Sequence, residues 1–103
     1  MLTIDYGAEM PDLYRRRPAG TLRSYAHHQR LAGRDIYAAF GRRDITCDVN
    51  FTDLQRWGQA LGWKAETPVS LGAFIARELP KITLPPGYAD AADSFLALVQ
   101  RTP

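Results

Sequence analysis

Gly41-Arg42-Arg43-Asp44-Ile45-Thr46-Cys47-Asp48-Val49-Asn50-Phe51 is the stretch on which the reading of the chain turns. Alternation predicts a strand over residues 45–49, with Asp44, Thr46, Asp48 and Asn50 on one face and Ile45, Cys47 and Val49 on the other. Asn50 then reads as a helix N-cap, with Asp53 three residues on in the first turn. Two carboxylates, a hydroxyl and an amide therefore crowd a strand-to-helix junction, where a rigid scaffold can aim side chains. Periodicity alone leaves two readings of that polar face: the wet side of a strand, or a wall of acceptors for a cationic group.

Working outward, Phe51, Leu54, Trp57 and Leu61 recur at three, three and four residues, which predicts a helix with one apolar stripe, stopped by Gly62. Residues 63–69 read as an extended link that Pro68 confines to an edge or loop. A second helix starts near Ser70, burying Leu71, Phe74, Ile75 and Leu79 before Pro80. A third is predicted over residues 88–100, with Tyr88, Ala91, Ala92, Phe95, Leu96 and Val99 on one face. Upstream, residues 2–7 read as a short strand that begins abruptly, as though cut from a sheet. Residues 8–20 are a loop with the Arg15-Arg16-Arg17 run, 21–27 a second strand, and 35–40 a helical turn closed by Gly41. The expected fold class is α+β, with short antiparallel strands followed by three helices. The chain divides into a strand-rich part (1–50) and a helical part (51–103). Three short strands cover little of the helices' apolar stripes, which implies a missing partner layer.

At 103 residues the chain is one domain or a piece of one. A hydrophobic fraction of 46% and a charged fraction of 23% are those of an ordinary folded protein. No apolar run is long enough to span a bilayer and no signal peptide is apparent, so a cytoplasmic protein is expected. The lone Cys47 excludes an internal disulfide and a cysteine zinc cage. Adjacent His27 and His28 point to opposite faces of a strand and make a poor metal pair; no metal is expected. Residues 1–43 carry eight arginines against four acids, while residues 44–103 carry five basic against seven acidic residues. A basic first half can meet an anionic partner. The aromatic residues show no base-stacking pattern, so nucleic-acid binding would rest on arginine charge alone.

Three segments in order carry a family resemblance. They are Ile4-Asp5-Tyr6-Gly7, then Gly20-Thr21-Leu22-Arg23 with Tyr25 and His28, then Asp44-Ile45-Thr46 through Val49-Asn50-Phe51. Thr67-Pro68-Val69 and Gly72-Ala73-Phe74 follow, with Ser70-Leu71 where the pattern has Thr-Gln, and Cys47-Asp48 where many relatives have Ala-His. This set resembles the MidA family of S-adenosylmethionine (SAM)-dependent methyltransferases, whose mitochondrial members are the complex I assembly arginine methyltransferases. The resemblance covers residues 2 to about 79.

It implies the substrate-side, C-terminal part of a Rossmann-like methyltransferase. The glycine-rich SAM loop would lie upstream and the sheet-closing strands downstream, both outside this chain. It further implies methyl transfer to a nitrogen, that of an arginine of a partner protein, with SAM as cofactor of the intact enzyme and none on this chain alone, which by itself would be inactive. Asp44, Thr46 and Asn50 are the candidate catalytic residues; Asp5, Tyr6, Asp48 and Phe51 are the candidate substrate-binding residues. The competing reading is a stand-alone α+β protein-interaction module. Uncovered helix stripes also lead one to expect self-association.

Overall fold

The computed structural model describes residues 1–15, 17–38 and 41–103. Arg16 of the arginine run, and Ala39 and Phe40 of the expected helical turn, lie outside the described residues.

A strand pair between the two ends of the sequence organises the fold. β1 (Leu2–Ala8) runs antiparallel to β8 (Phe95–Arg101), in register from Leu2 opposite Val99 to Tyr6 opposite Phe95. On the far edge of β8 lie β6 (Lys64–Ala65) and β7 (Val69–Ser70), two pieces of the extended link interrupted at Pro68. β5 (Val49–Asn50) joins the outer edge of β1 in parallel, but only at Gly7 and Ala8. A Cβ on Gly7 would stand 2.1 Å from the Val49 carbonyl oxygen, so only glycine lets these two backbones approach so closely. The outer edge of β1 from Leu2 to Tyr6 has no strand partner among the described residues.

β8 corrects the expected third helix. The helix α4 is short, Ala89–Ser94, and its C-cap Phe95 is already extended. The periodic positions did fit a helical stripe. However, Phe95-Leu96-Ala97-Leu98-Val99 is also an unbroken apolar run, as a strand with neighbours on both edges and covered faces requires. Ala97 and Leu98 are among the most buried residues of the protein. The sheet has five strands where three short strands were expected overall.

A second, three-stranded sheet has the order β3-β2-β4, formed by β2 (Arg23–Ala26), β3 (Gln29–Leu31) and β4 (Ile45–Thr46). β2 and β3 form a hairpin, β2 inside the expected strand of residues 21–27 and β3 just beyond it. His27 and His28 make its two-residue turn, both with positive φ (49° and 64°), the backbone twist that suits such a turn. A 3-10 turn, Gly33–Tyr37, buries Ile36 beside the hairpin.

The helix α2 (Phe51–Ala60) is built as the sequence foretold. The Asn50 side chain accepts from the Asp53 N–H (3.3 Å). Gly62, at φ 79°, closes the other end, with Trp63 N–H bonding to Gly58 O and Gly62 N–H to Gln59 O. Buried Gln100 of β8 donates to Leu54 O (3.1 Å) and fixes the helix on the sheet. Only part of the expected stripe is covered: Phe51 has no exposed surface, whereas Trp57 and Leu61 are 64% and 69% exposed. The sheet meets the first turns and the Gly58 flank, and leaves Trp57 and Leu61 largely exposed. The helix α3 (Leu71–Glu78) is capped by Ser70 and rests on β7, β8 and α4. Leu71, Phe74 and Ile75 are half-buried there and Leu79 is exposed, against the expectation that all four are core.

Candidate functional site

Residues 44–50 are not one strand. β4 belongs to the small sheet and β5 to the large one, and Cys47-Asp48 carries the chain from one to the other. The polar residues expected in one row therefore have separate surroundings. Thr46 and, through Arg23, Asp48 meet Tyr6 near the C-terminal end of β1, where that strand adjoins the parallel β5.

There the Tyr6 hydroxyl lies 3.2 Å from Thr46 Oγ1, linking the two sheets. The Tyr6 ring packs edge-on against Phe95 at 5.1 Å, and the Arg23 guanidinium stands 5.3 Å from its centroid on a face. Arg23 comes from β2, opposite Thr46 in the register. It donates to Asp48 Oδ1 (2.7 Å) and to the Thr21 carbonyl (3.0 Å), while Arg17 donates to Asp48 Oδ2. The Thr21 hydroxyl accepts from the Asp48 backbone N–H (3.0 Å). Burial alone would lower the Arg23 pKa; its hydrogen bonding, chiefly to Asp48, outweighs that and raises it above the usual guanidinium value.

The acceptor wall is thus largely spoken for. Both Asp48 oxygens are bound to guanidinium groups, so Asp48 fixes the junction between the sheets and has no free oxygen for a further cation. Asn50 is engaged at both ends, its Oδ1 by the Asp53 N–H and its Nδ2 by Asp53 Oδ2 (2.7 Å). Asp5 Oδ1 accepts from the Tyr6 N–H (2.8 Å), and Oδ2 has no hydrogen bond to a described residue. Asp44, just ahead of β4, is exposed. Phe51, expected on the substrate side, lies wholly in the core. Arg17, Arg23 and Thr21 are members of this cluster that were not among the candidate site residues; Thr21 and Arg23 stood in the quoted Gly20–Arg23 motif and Arg17 in the arginine run. No group of three or more metal-binding side chains occurs among the described residues, and no helix is long and apolar enough to cross a membrane.

A family model described as "Putative S-adenosyl-L-methionine-dependent methyltransferase" matches residues 1–69, two thirds of the chain, spanning β1 to the start of β7. The chain belongs to this methyltransferase family. No curated protein matches it. The described residues do not fit the family's cofactor. A nucleoside of this kind sits where a strand turns through glycines into a helix N-terminus. At the one parallel pair, Gly7 is packed against the Val49 backbone, and β1 continues through Glu9 into a four-residue helix, α1 (Asp12–Arg15).

Proposed function

We propose that these residues form the acceptor side of a SAM-dependent methyltransferase of the MidA type, which methylates a nitrogen of a protein arginine. The observation that carries the proposal is the polar cluster at the C-terminal end of β1, where ligands of open α/β sheets bind. The unpartnered outer edge of β1, with Leu2 and Ile4 48% and 41% exposed beside it, supports a sheet that continues into residues outside 1–103, and those residues would hold the cofactor. On its own this chain would then be inactive.

An arginine acceptor has to be oriented and must lose a proton in the course of methylation. Asp44, two residues before Thr46, can accept from its guanidinium, while the hydroxyl pair Tyr6–Thr46 lines the approach; Asp5 precedes Tyr6 on β1 and leaves the opposite face of the strand. Asp48 and Asn50 act as positioning residues, holding the two strands that carry this group. The intact enzyme would be cytoplasmic.

The test is methyl transfer from labelled SAM by the full reading frame that contains these residues, with arginine-bearing and lysine-bearing protein acceptors. Asp44→Ala is expected to lower turnover about a hundredfold, the scale of one acid–base group, with folding unchanged. Unchanged turnover would remove Asp44 from the acceptor site, and labelled lysine in place of arginine would overturn the acceptor class. Calorimetry of residues 1–103 with SAM is expected to show no binding.

A further inference from the structure

Outside this cluster, the small sheet carries an unbalanced charge. Among the described residues, Arg30, Arg34, Arg42 and Arg43 are in no ion pair, and the only carboxylates in residues 22–47 are Asp35 and Asp44. Two concave surfaces hold these arginines. One is a groove of about 350 Å³ with Leu22, Ala32 and Ile36 among its lining, Tyr37 in its wall, and Arg30 and Arg34 beside them. The other is a cleft lined by Tyr25, His27, Arg42 and Arg43. Arg30 lies directly opposite Tyr25 in the hairpin register, so this one cross-strand pair contributes a side chain to each surface.

We infer that this lobe is a docking site for an acidic protein segment: an extended peptide that seats an apolar side chain in the Leu22–Ile36 groove and sets flanking carboxylates against Arg30, Arg34, Arg42 and Arg43. Unpaired arginines attract anions and grip carboxylates with two parallel hydrogen bonds. The aliphatic lining decides between anionic partners. It offers a seat to a leucine-like side chain, whereas a nucleic acid needs successive aromatic faces on which to stack bases; among the described lining residues Tyr37 is the one aromatic ring of the groove and Tyr25 the one phenol of the cleft. The site shares no lining residue with the Tyr6–Thr46–Asp48 cluster, which it adjoins where Tyr25 stands beside Arg23, and it does not depend on methyl transfer.

The test is fluorescence anisotropy of the 103-residue protein with a labelled peptide, Glu-Asp-Glu-Leu-Glu-Asp-Glu. Comparison ligands are the same peptide with serine for leucine, with glutamine and asparagine for the acids, and an oligouridine of similar length. Binding of the first peptide is expected, weakened by either replacement and by added salt. Arg30→Gln and Arg34→Gln are each expected to weaken it about two- to fivefold, the scale of one exposed ion pair, with unchanged circular dichroism. No binding at low salt would overturn the proposal, and so would indifference to the leucine. Tighter binding of oligouridine would overturn it in favour of a nucleic-acid site.

Discussion

Asp48 and Glu66 are each held by two arginines, Arg17 and Arg23 in the first case and Arg77 and Arg101 in the second. The chemistry is alike and the surroundings are not. The Asp48 and Arg23 side chains are 13% and 11% exposed, sealed between two sheets and the Tyr6 ring. Glu66 is 35% exposed and Arg101 72%, on the open edge where α3 meets β8. A carboxylate shut between cations leaves unpaired charge behind when it is removed, whereas one at the surface is replaced by water and salt. The first clasp therefore decides whether the small sheet stays on the large one; the second trims a surface.

Asp48→Ala should show the larger effect, a loss of about 3 kcal/mol, the scale of breaking a largely buried pair, read as a lowered thermal midpoint. Hydrogen exchange should rise in β2 and β4 before β1 and β8. A loss no greater than that of Glu66→Ala would break the contrast. Tyr6→Phe keeps the ring and removes only the hydroxyl contact with Thr46, so it should cost about 1 kcal/mol.

Glu66 should give the smallest effect, and a pH-dependent one. Hydrogen bonding to Arg101, followed by the charge of Arg77, holds its pKa below the ordinary glutamate value. A carboxylate with a lowered folded-state pKa contributes stability above its unfolded pKa and loses it as pH falls through the folded one. The stability difference between the protein and Glu66→Gln should therefore be present at neutral pH and vanish in acid. It should also shrink in about 1 M salt, where screening acts within roughly 3 Å; the Asp48→Ala difference should persist.

Much of the local structure was legible because it depends on neighbours in sequence. Asn50, Ser70 and Gly62 announced the ends of α2 and the start of α3 through caps that need only a few residues. The nature of residues 95–101 was not legible, since a short apolar run satisfies a helical stripe and a buried strand alike until its partners are known. Asp48 shows the same limit at the candidate site. Alternation grouped it with Asp44 and Asn50, but its arginine partners lie 25 and 31 residues away, and no spacing rule connects them. The bend at Cys47-Asp48 left no mark in the alternation either, because polar and apolar residues keep alternating through it.

The pairing of Leu2 with Val99 has a kinetic consequence. The hairpin β2–β3 closes across two residues and can zip as soon as its own segment exists, on the scale of roughly 1–10 μs. β1 must wait for a strand nearly the whole sequence away, and such non-local pairing is the slow event in folding. During synthesis the arginine-rich lobe would be ready before this pairing, which waits until β8 emerges. A ribosome stalled before residue 95 would leave the β8-facing edge of Leu2–Tyr6 bare, a segment ready to pair with the wrong chain.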